Sequence, residues 1–419
     1  MNLAIRQRIA DIRRGNVPAG YKRTKLGIIP IDWETPELNR VLSENKERNR
    51  SGRFGKEDVL SVSGEFGVTN QIDLLGRSFA GVSVKDYYVV ESGNIVYTKS
   101  PLKSNPYGII KLNKGEAGIV STLYAVYNCK SREVGTYLDY YFSVDRNVNS
   151  YLRPLVRKGT KNDMKINNED ALKGCIILPS EAEITKIVEI LGCCDKVIAL
   201  KKELIAEKKR QKKALMQKLL NPDSGFRLPG FTEAWGIYKL SDCVKIANDK
   251  ISPDNCDDSY KCVELEHIES ETGKLLGYCS PRGLKSIKTV FHKNDILFGK
   301  LRPYLKKIAL APFCGICCSE CIVFNINNNI VPNFLYNRLL LDDFIAVSCT
   351  ASGTKMPRAD WRYMKKFLLR IPSLREQQAI ADILSAADEE IDLLEQELAQ
   401  QQQKKKSLMQ MLLTGIVRV

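Results

Sequence analysis

The chain has 419 residues, 44% hydrophobic and 27% charged, and 64 Lys and Arg against 49 Asp and Glu give a formal charge of +15. Its length suits two or three domains with real cores, no apolar run approaches the roughly 18 residues of a membrane span, and the opening MNLAIRQRIADIRRG lacks the apolar centre of a secretory signal. The 13 cysteines, odd in number and scattered, read as reduced thiols in a cytoplasmic protein, and the positive charge points to a polyanionic partner, nucleic acid before any other.

In chain order, residues 1–20 read as an N-terminal helical segment. Residues 21–178 read as a globular part of mixed α/β type. The β-branched and aromatic runs DYYVV, GNIVYTK and STLYAVY predict strands, and VGTYLDYYFSV predicts a helix. Residues 179–221 form one long helix, entered after Pro179 and ended at Asn221-Pro222, with apolar residues at Ile187, Leu191, Ile198, Ile205 and Leu215. Residues 222–371 are a second globular part, with strands in KCVEL, TVFHKNDILFGK and ECIVFNI and a helix in VPNFLYNRLLLDDFI. Residues 372–419 are a second long helix, entered after Pro372 and ended at Gly415, with Ile380, Leu384, Ile391, Leu394, Leu398 and Leu408 on the same seven-residue pattern.

Alternating steps of three and four make a coiled-coil seam. At about 40 residues each helix spans roughly 60 Å. A lone surface helix cannot bury so narrow a stripe, so the partner expected for each helix is the other one, antiparallel. The seam turns polar at Lys208 and Lys212 and again at Gln401 and Lys405. Such lysines either snorkel past the seam or fix its register.

The two long segments are one repeat. A shift of 193 positions carries Pro179 onto Pro372, Ile187 onto Ile380, Leu191 onto Leu384 and Leu215 onto Leu408 without a gap. Upstream, RKGTK from Arg157 matches ASGTK from Ala351, and SGNIVYTK matches KNDILFGK, ending at Lys99 and Lys300. The globular parts have diverged while the helices have not. The helices therefore do one job twice, and the globular parts do different jobs of one kind.

Basic loops recur at equivalent places in both globular parts: TKSPLKSNPYG and RKGTKNDMK in the first, GKLRPYLKK and ASGTKMPRADWR in the second. Lys and Arg neutralise phosphates, and an arginine can read guanine in the major groove. An ordinary solvated surface also carries such loops; their recurrence favours the functional reading.

Chemistry of catalysis is hard to find. There is no GxxxxGK[ST] loop, no glycine-rich dinucleotide fingerprint, no Asn-Pro-Pro-aromatic tetrapeptide and no acidic pair of nuclease type, and there are two histidines. CGICCSEC sets Cys314, Cys317, Cys318 and Cys321 at zinc-like spacing. The first copy has a plain strand there, GIVSTLYAV. Strand alternation would send Cys317 and Cys321 to one face and Cys314 and Cys318 to the other, so no metal is expected.

IPSLREQQAIADIL, the fainter LPSEAEITKIVEIL, NDILFGKLRPYLKKIALA and the LMQ-x-LL helix ends resemble the specificity (S) subunit of type I restriction–modification enzymes, over essentially the whole chain. The resemblance implies a pseudo-two-fold repeat: two target recognition domains, each reading half of a split DNA site, joined by two long antiparallel coiled-coil helices acting as a spacer. It implies no catalysis by this chain and no cofactor bound by it. S-adenosylmethionine, ATP and Mg belong to partners, namely two modification (methyltransferase) subunits and restriction (translocase and nuclease) subunits docked on the helices. The residues implied to contact double-stranded DNA are Lys300, Arg302, Tyr304, Lys306, Thr354, Lys355 and Arg358 in the second domain, and Lys99, Lys103, Lys158, Thr160 and Lys161 in the first. The first repeat departs from the pattern: SPLKSNPYG replaces the RPYLKK-type loop and LREQQ is eroded to SEAEIT. The alternative is a stand-alone structural or regulatory DNA-binding protein with no methyltransferase partner.

Overall fold

The computed structural model describes residues 3–102, 104–158 (backbone alone at Lys158), 164–257, 259–350 and 357–419. The chain forms two compact units, Met1–Leu200 with Ala399–Val419, and Lys201–Leu398. The segments read from the sequence keep each long helix whole. The units instead divide both helices, because each globular part packs against the beginning of one helix and the end of the other.

In the first unit, strands β1 (Leu42–Glu44), β2 (Ile95–Thr98), β3 (Ile109–Leu112) and β4 (Tyr124–Cys129) form an antiparallel sheet in the order β1-β4-β2-β3. Its strands are rich in β-branched and aromatic residues, which suit a pleated, buried surface. The helix Arg132–Phe142 buries Tyr137, Leu138 and Phe142 in the same core. Helix α2 (Glu181–Leu219) adds Ile184, Ile187 and Leu191, and α3 (Leu374–Leu413) adds Leu412 and Leu413. Helix α1 (Leu3–Arg13) buries no residue. Its Arg8 donates to the Ile416 carbonyl at 2.5 Å, which ties it beside the C-terminal end of α3. After α3, Gly415 takes a left-handed φ of 68°, and a Cβ there would meet the Pro30 ring at 2.5 Å, so glycine is required on both counts.

The second unit repeats the sheet. Strands β5 (Val244–Ile246), β6 (Ile296–Gly299), β7 (Ile308–Leu310) and β8 (Cys321–Ile326) run in the order β5-β8-β6-β7, again antiparallel. The core holds Phe298, Phe324, Phe334 and Phe344, with Leu219 and Leu220 from the end of α2 and Ile380, Ala381 and Leu384 from the start of α3. The helix expected over VPNFLYNRLLLDDFI is two, Pro332–Leu339 and Asp342–Ser348. Leu341 is extended between them, and the acidic pair Asp342-Asp343 opens the second, where negative charge suits a helix N-terminus.

Within each unit the long helices run antiparallel. In the second, Lys201 meets Glu397 and Lys208 meets Glu390, both at 2.6 Å, and Lys212 meets Asp388 at 2.5 Å. In the first, Lys405 meets Asp195. Ile187, Leu191, Ile205, Ile380, Leu384 and Ile391 are buried. Ile198, Leu215, Leu394, Leu398 and Leu408 are half-buried, Leu215 and Leu408 at the edges of the second and first cores.

A buried charge cluster marks each helix start. Glu183 accepts from the Trp33 indole at 2.6 Å and from Arg418 at 2.6 and 2.9 Å. Glu376, 1% exposed, accepts from Arg227 at 2.8 and 2.7 Å, and that guanidinium lies 5.9 Å from the Trp235 ring centre. Glu183 and Glu376 are themselves 193 positions apart.

Strand alternation misplaces one cysteine. Cys318 begins a tight turn, closed by the Cys321 amide donating to the Cys318 carbonyl at 3.0 Å, which brings the two sulfurs to 3.7 Å. Hydrogen bonds with neighbouring thiols, and then burial, push both thiols well above their ordinary range. Among the described residues no group of three His, Cys, Asp or Glu side chains is arranged to hold a metal ion.

Candidate nucleic-acid interface

In the second unit the basic loop leaves β6 at Gly299 and returns at Lys307, whose carbonyl accepts from the Gly299 amide at 2.8 Å. Pro303–Leu305 forms a single turn, flanked by Arg302 at φ 53° and Lys306 at φ 49°. Left-handed backbone costs a residue with a Cβ roughly 1–2 kcal/mol. The surroundings hold it: Arg302 donates its amide to the Pro357 carbonyl and Ala359 donates to the Lys300 carbonyl, both at 2.8 Å. These bonds bracket a bridge between Leu301 and Arg358.

Lys300, Arg302, Tyr304 and Arg358 are thereby brought together. Tyr304 is 51% exposed, and the exposed guanidinium of Arg302 has no partner among the described residues. Arg358 is exposed and donates to Glu320 at 3.2 Å. Lys306 does not join this group. Its ammonium sits 2.5 Å from Asp342, and that hydrogen bond holds the Asp342 carboxyl below the usual carboxylate range. With its side chain only 19% exposed, Lys306 fastens the loop to the helix beneath. Thr354 and Lys355 lie outside the described residues.

In the first unit Lys99, at the end of β2, donates to Asn168 at 2.8 Å and to the Ile166 carbonyl at 3.1 Å. Asn168 in turn donates to Glu44 at 2.8 Å. Lys99 therefore lines an open polar cleft of about 480 Å³ together with Glu44, Lys46, Arg48 and Tyr88. Lys158 lies in the hairpin formed by Arg157–Lys158 and Met164–Lys165 that leads to Asn168. The side chain of Lys158, and Lys103, Thr160 and Lys161 entirely, lie outside the described residues.

The construction is common to both units. The lysine just after the second core strand contacts residues beyond the Gly-Thr-Lys segment in both units, Lys99 through its ammonium and Lys300 through its backbone carbonyl. The sequence reading missed Arg48, whose guanidinium lies 3.6 Å from the Tyr88 ring centre. Its signal was available by repeat matching: Val89 donates to the Glu47 carbonyl as Val290 does to Asp249, so Arg48 corresponds to Lys250 and the position is basic in both copies.

Residues 232–402 match the type I restriction modification DNA specificity domain. The chain is 30% identical to the EcoDI type I restriction enzyme specificity subunit of Escherichia coli over 36% of this chain and 34% of that protein. It is 25% identical to the putative MjaX specificity subunit of Methanocaldococcus jannaschii over 95% of this chain and 97% of that one. The first match thus spans about a third of its relative and the second nearly all. Among solved structures, the S subunit of a type I restriction–modification system from M. genitalium superposes with a TM-score of 0.53 at 13% identity, covering 91% of this chain and 96% of that one. A chain solved in work on assembly and conformational transition of a type I R-M system gives 0.52 at 15% identity, covering 93% and 99%. These two likenesses concern the fold.

Proposed function

The chain belongs to the specificity subunits of type I restriction–modification enzymes, and from that premise we propose that it reads an asymmetric, two-part DNA site, one half through each globular unit. The observation that carries this reading is the repeated construction of the basic loops: one scaffold presents two unlike sets of side chains. Equal readers would call for a symmetric site; these call for an asymmetric one. The helices, which repeat without a gap and share one apolar pattern, by contrast suit a spacer that offers two equivalent docking surfaces.

The chain itself is the non-catalytic member of the complex. Two modification subunits carry adenine-N6 methylation with S-adenosylmethionine, and restriction subunits carry ATP- and Mg-dependent translocation and cleavage. The test is selection from random double-stranded DNA by the chain assembled with its methyltransferase subunit. Two different short motifs at a fixed separation are expected. A single continuous motif, or no enrichment over bulk DNA, would overturn the reading.

A further inference from the structure

We propose that Arg358 is a base-reading residue of the second unit, directed at a guanine, and that Glu320 is the positioning residue that aims it. The proposal rests on the DNA-reading function above and adds to it a named position with a base class.

Glu320 is held on two sides. It lies inside the turn from Cys318 to Cys321, whose end residues are 7% and 5% exposed. Cys318 donates to the Val263 carbonyl at 3.1 Å, which roots the turn in the sheet. The Glu320 carbonyl accepts from the Lys300 amide at 2.8 Å. The backbone of Glu320 is thus fixed relative to the basic loop, and its side chain reaches Arg358 from that fixed point.

Its two oxygens differ. Oε1 accepts from Nη2 of Arg358 at 3.2 Å, and Oε2 is shielded from solvent without a hydrogen-bond partner among the described residues. A half-dry carboxylate favours retaining its cation, because withdrawal of Arg358 would leave charge poorly solvated. Arg358 spends one N–H donor on this contact, and its side chain is 64% exposed. The rest of the planar fork remains for a ligand, and a guanidinium edge matches O6 and N7 of guanine.

The acidic residue is itself informative. A loop that merely neutralises phosphates gains from every lysine and arginine and loses by a carboxylate among them. Phosphate contact needs charge, whereas base contact needs direction. Arg302 has no acidic anchor among the described residues and suits the first role; Arg358 has one and suits the second.

The first unit supplies an internal contrast. Its equivalent turn is closed by Tyr124 donating to the Ser121 carbonyl at 3.1 Å. Thr98 pairs with Tyr124 as Gly299 pairs with Cys321, which puts Leu123, 65% exposed, where Glu320 stands. The first unit thus has no carboxylate at this turn position, so a base read through the Glu320–Arg358 pair occurs in one half-site.

The experiment uses the full chain in complex with its methyltransferase subunit. Binding is measured on the selected target and on every single-base-pair variant of it, at several salt concentrations. For R358K and R358A, discrimination at one G·C pair of one half-site should fall roughly tenfold to a hundredfold. E320Q and E320A should weaken discrimination at that same pair, with non-specific affinity unchanged or higher. R302A should lower affinity for all targets and reduce the salt slope by about one. Discrimination retained at the other half-site reports that the variants are folded.

A uniform loss across targets for R358A, or no loss, would overturn Arg358 as a base reader. Loss for R358A with unchanged discrimination in both Glu320 variants would overturn the positioning role. If the unsubstituted complex shows no two-part preference, the functional reading fails first, and the two failures are told apart.

Discussion

Lys212 donates to both oxygens of Asp388, at 2.5 and 2.7 Å, and the pair has a twin in Lys405 and Asp195. Each residue of one pair stands 193 positions from its counterpart in the other. In one unit α2 provides the lysine and in the other α3 does. The lysines that interrupt the apolar seam are therefore cross-helix partners of carboxylates, which supports a register role over simple snorkelling. With the Lys212 side chain only 13% exposed, the pair exceeds an ordinary surface contact in burial. A double-mutant cycle on Lys212→Met and Asp388→Asn, read by urea unfolding, should give a coupling of about 1 kcal/mol. Strictly additive single effects would show that the pair does not hold register.

The arginine clusters predict localised damage. Arg227→Leu leaves the carboxylate of Glu376 buried without its cation, and Arg418→Leu does the same to Glu183. Removing one partner of a buried pair costs about 3–5 kcal/mol. Hydrogen exchange should accelerate in the Lys201–Leu398 unit for the first variant and in the other unit for the second. Equal acceleration in both units from either variant would contradict the assignment of each cluster to its own core.

The basic loop contains two kinds of cation. Arg302→Ala should weaken binding to all DNA targets and lower its salt dependence while barely moving stability. Lys306→Ala should instead loosen the loop by removing the Asp342 contact, at a cost of up to about 1 kcal/mol. Filter binding at several salt concentrations, together with thermal melts, separates the two. Identical behaviour of both variants would refute the division.

Lys288 offers a test by pH. Its side chain is 3% exposed and donates to Glu264 at 2.6 Å. Desolvation lowers its pKa, yet the hydrogen bond and charge of Glu264 outweigh it and the net direction is upward. A raised lysine contributes stability that is fully present below its unfolded pKa, about 10.4, and lost as pH rises through the folded value. The stability gap between the native chain and Lys288→Gln should hold steady from pH 7 to 9 and narrow above pH 10.5. A gap constant to pH 11 would show that the charge of Lys288 does not matter.

Much of this was legible because local pattern and burial agree. The seven-residue apolar period marks both helices, and the shift of 193 reveals the repeat before any fold is known. The LREQQ junction becomes intelligible only in three dimensions. Glu376 receives Arg227, and Gln377 accepts from the Val331 amide at 2.8 Å while donating to the Pro372 carbonyl at 3.0 Å. The eroded copy keeps the residue that matters most, Glu183, and substitutes Ile184 for the glutamine. The charge clusters were not legible because Arg418 lies 235 positions from Glu183, and spacing carries no trace of such a contact. The Lys306–Asp342 contact was not legible for a related reason. A basic loop shows its charges in sequence but not which of them a neighbouring helix has already claimed.

The most direct test of the central claim is single-molecule methylome sequencing of a methylation-free bacterium that expresses this chain with its methyltransferase subunit. The account predicts N6-methyladenine in both halves of one asymmetric split motif, vanishing when this chain is omitted. Methylation that persists without the chain, or its absence despite a stable DNA-binding complex, would contradict it.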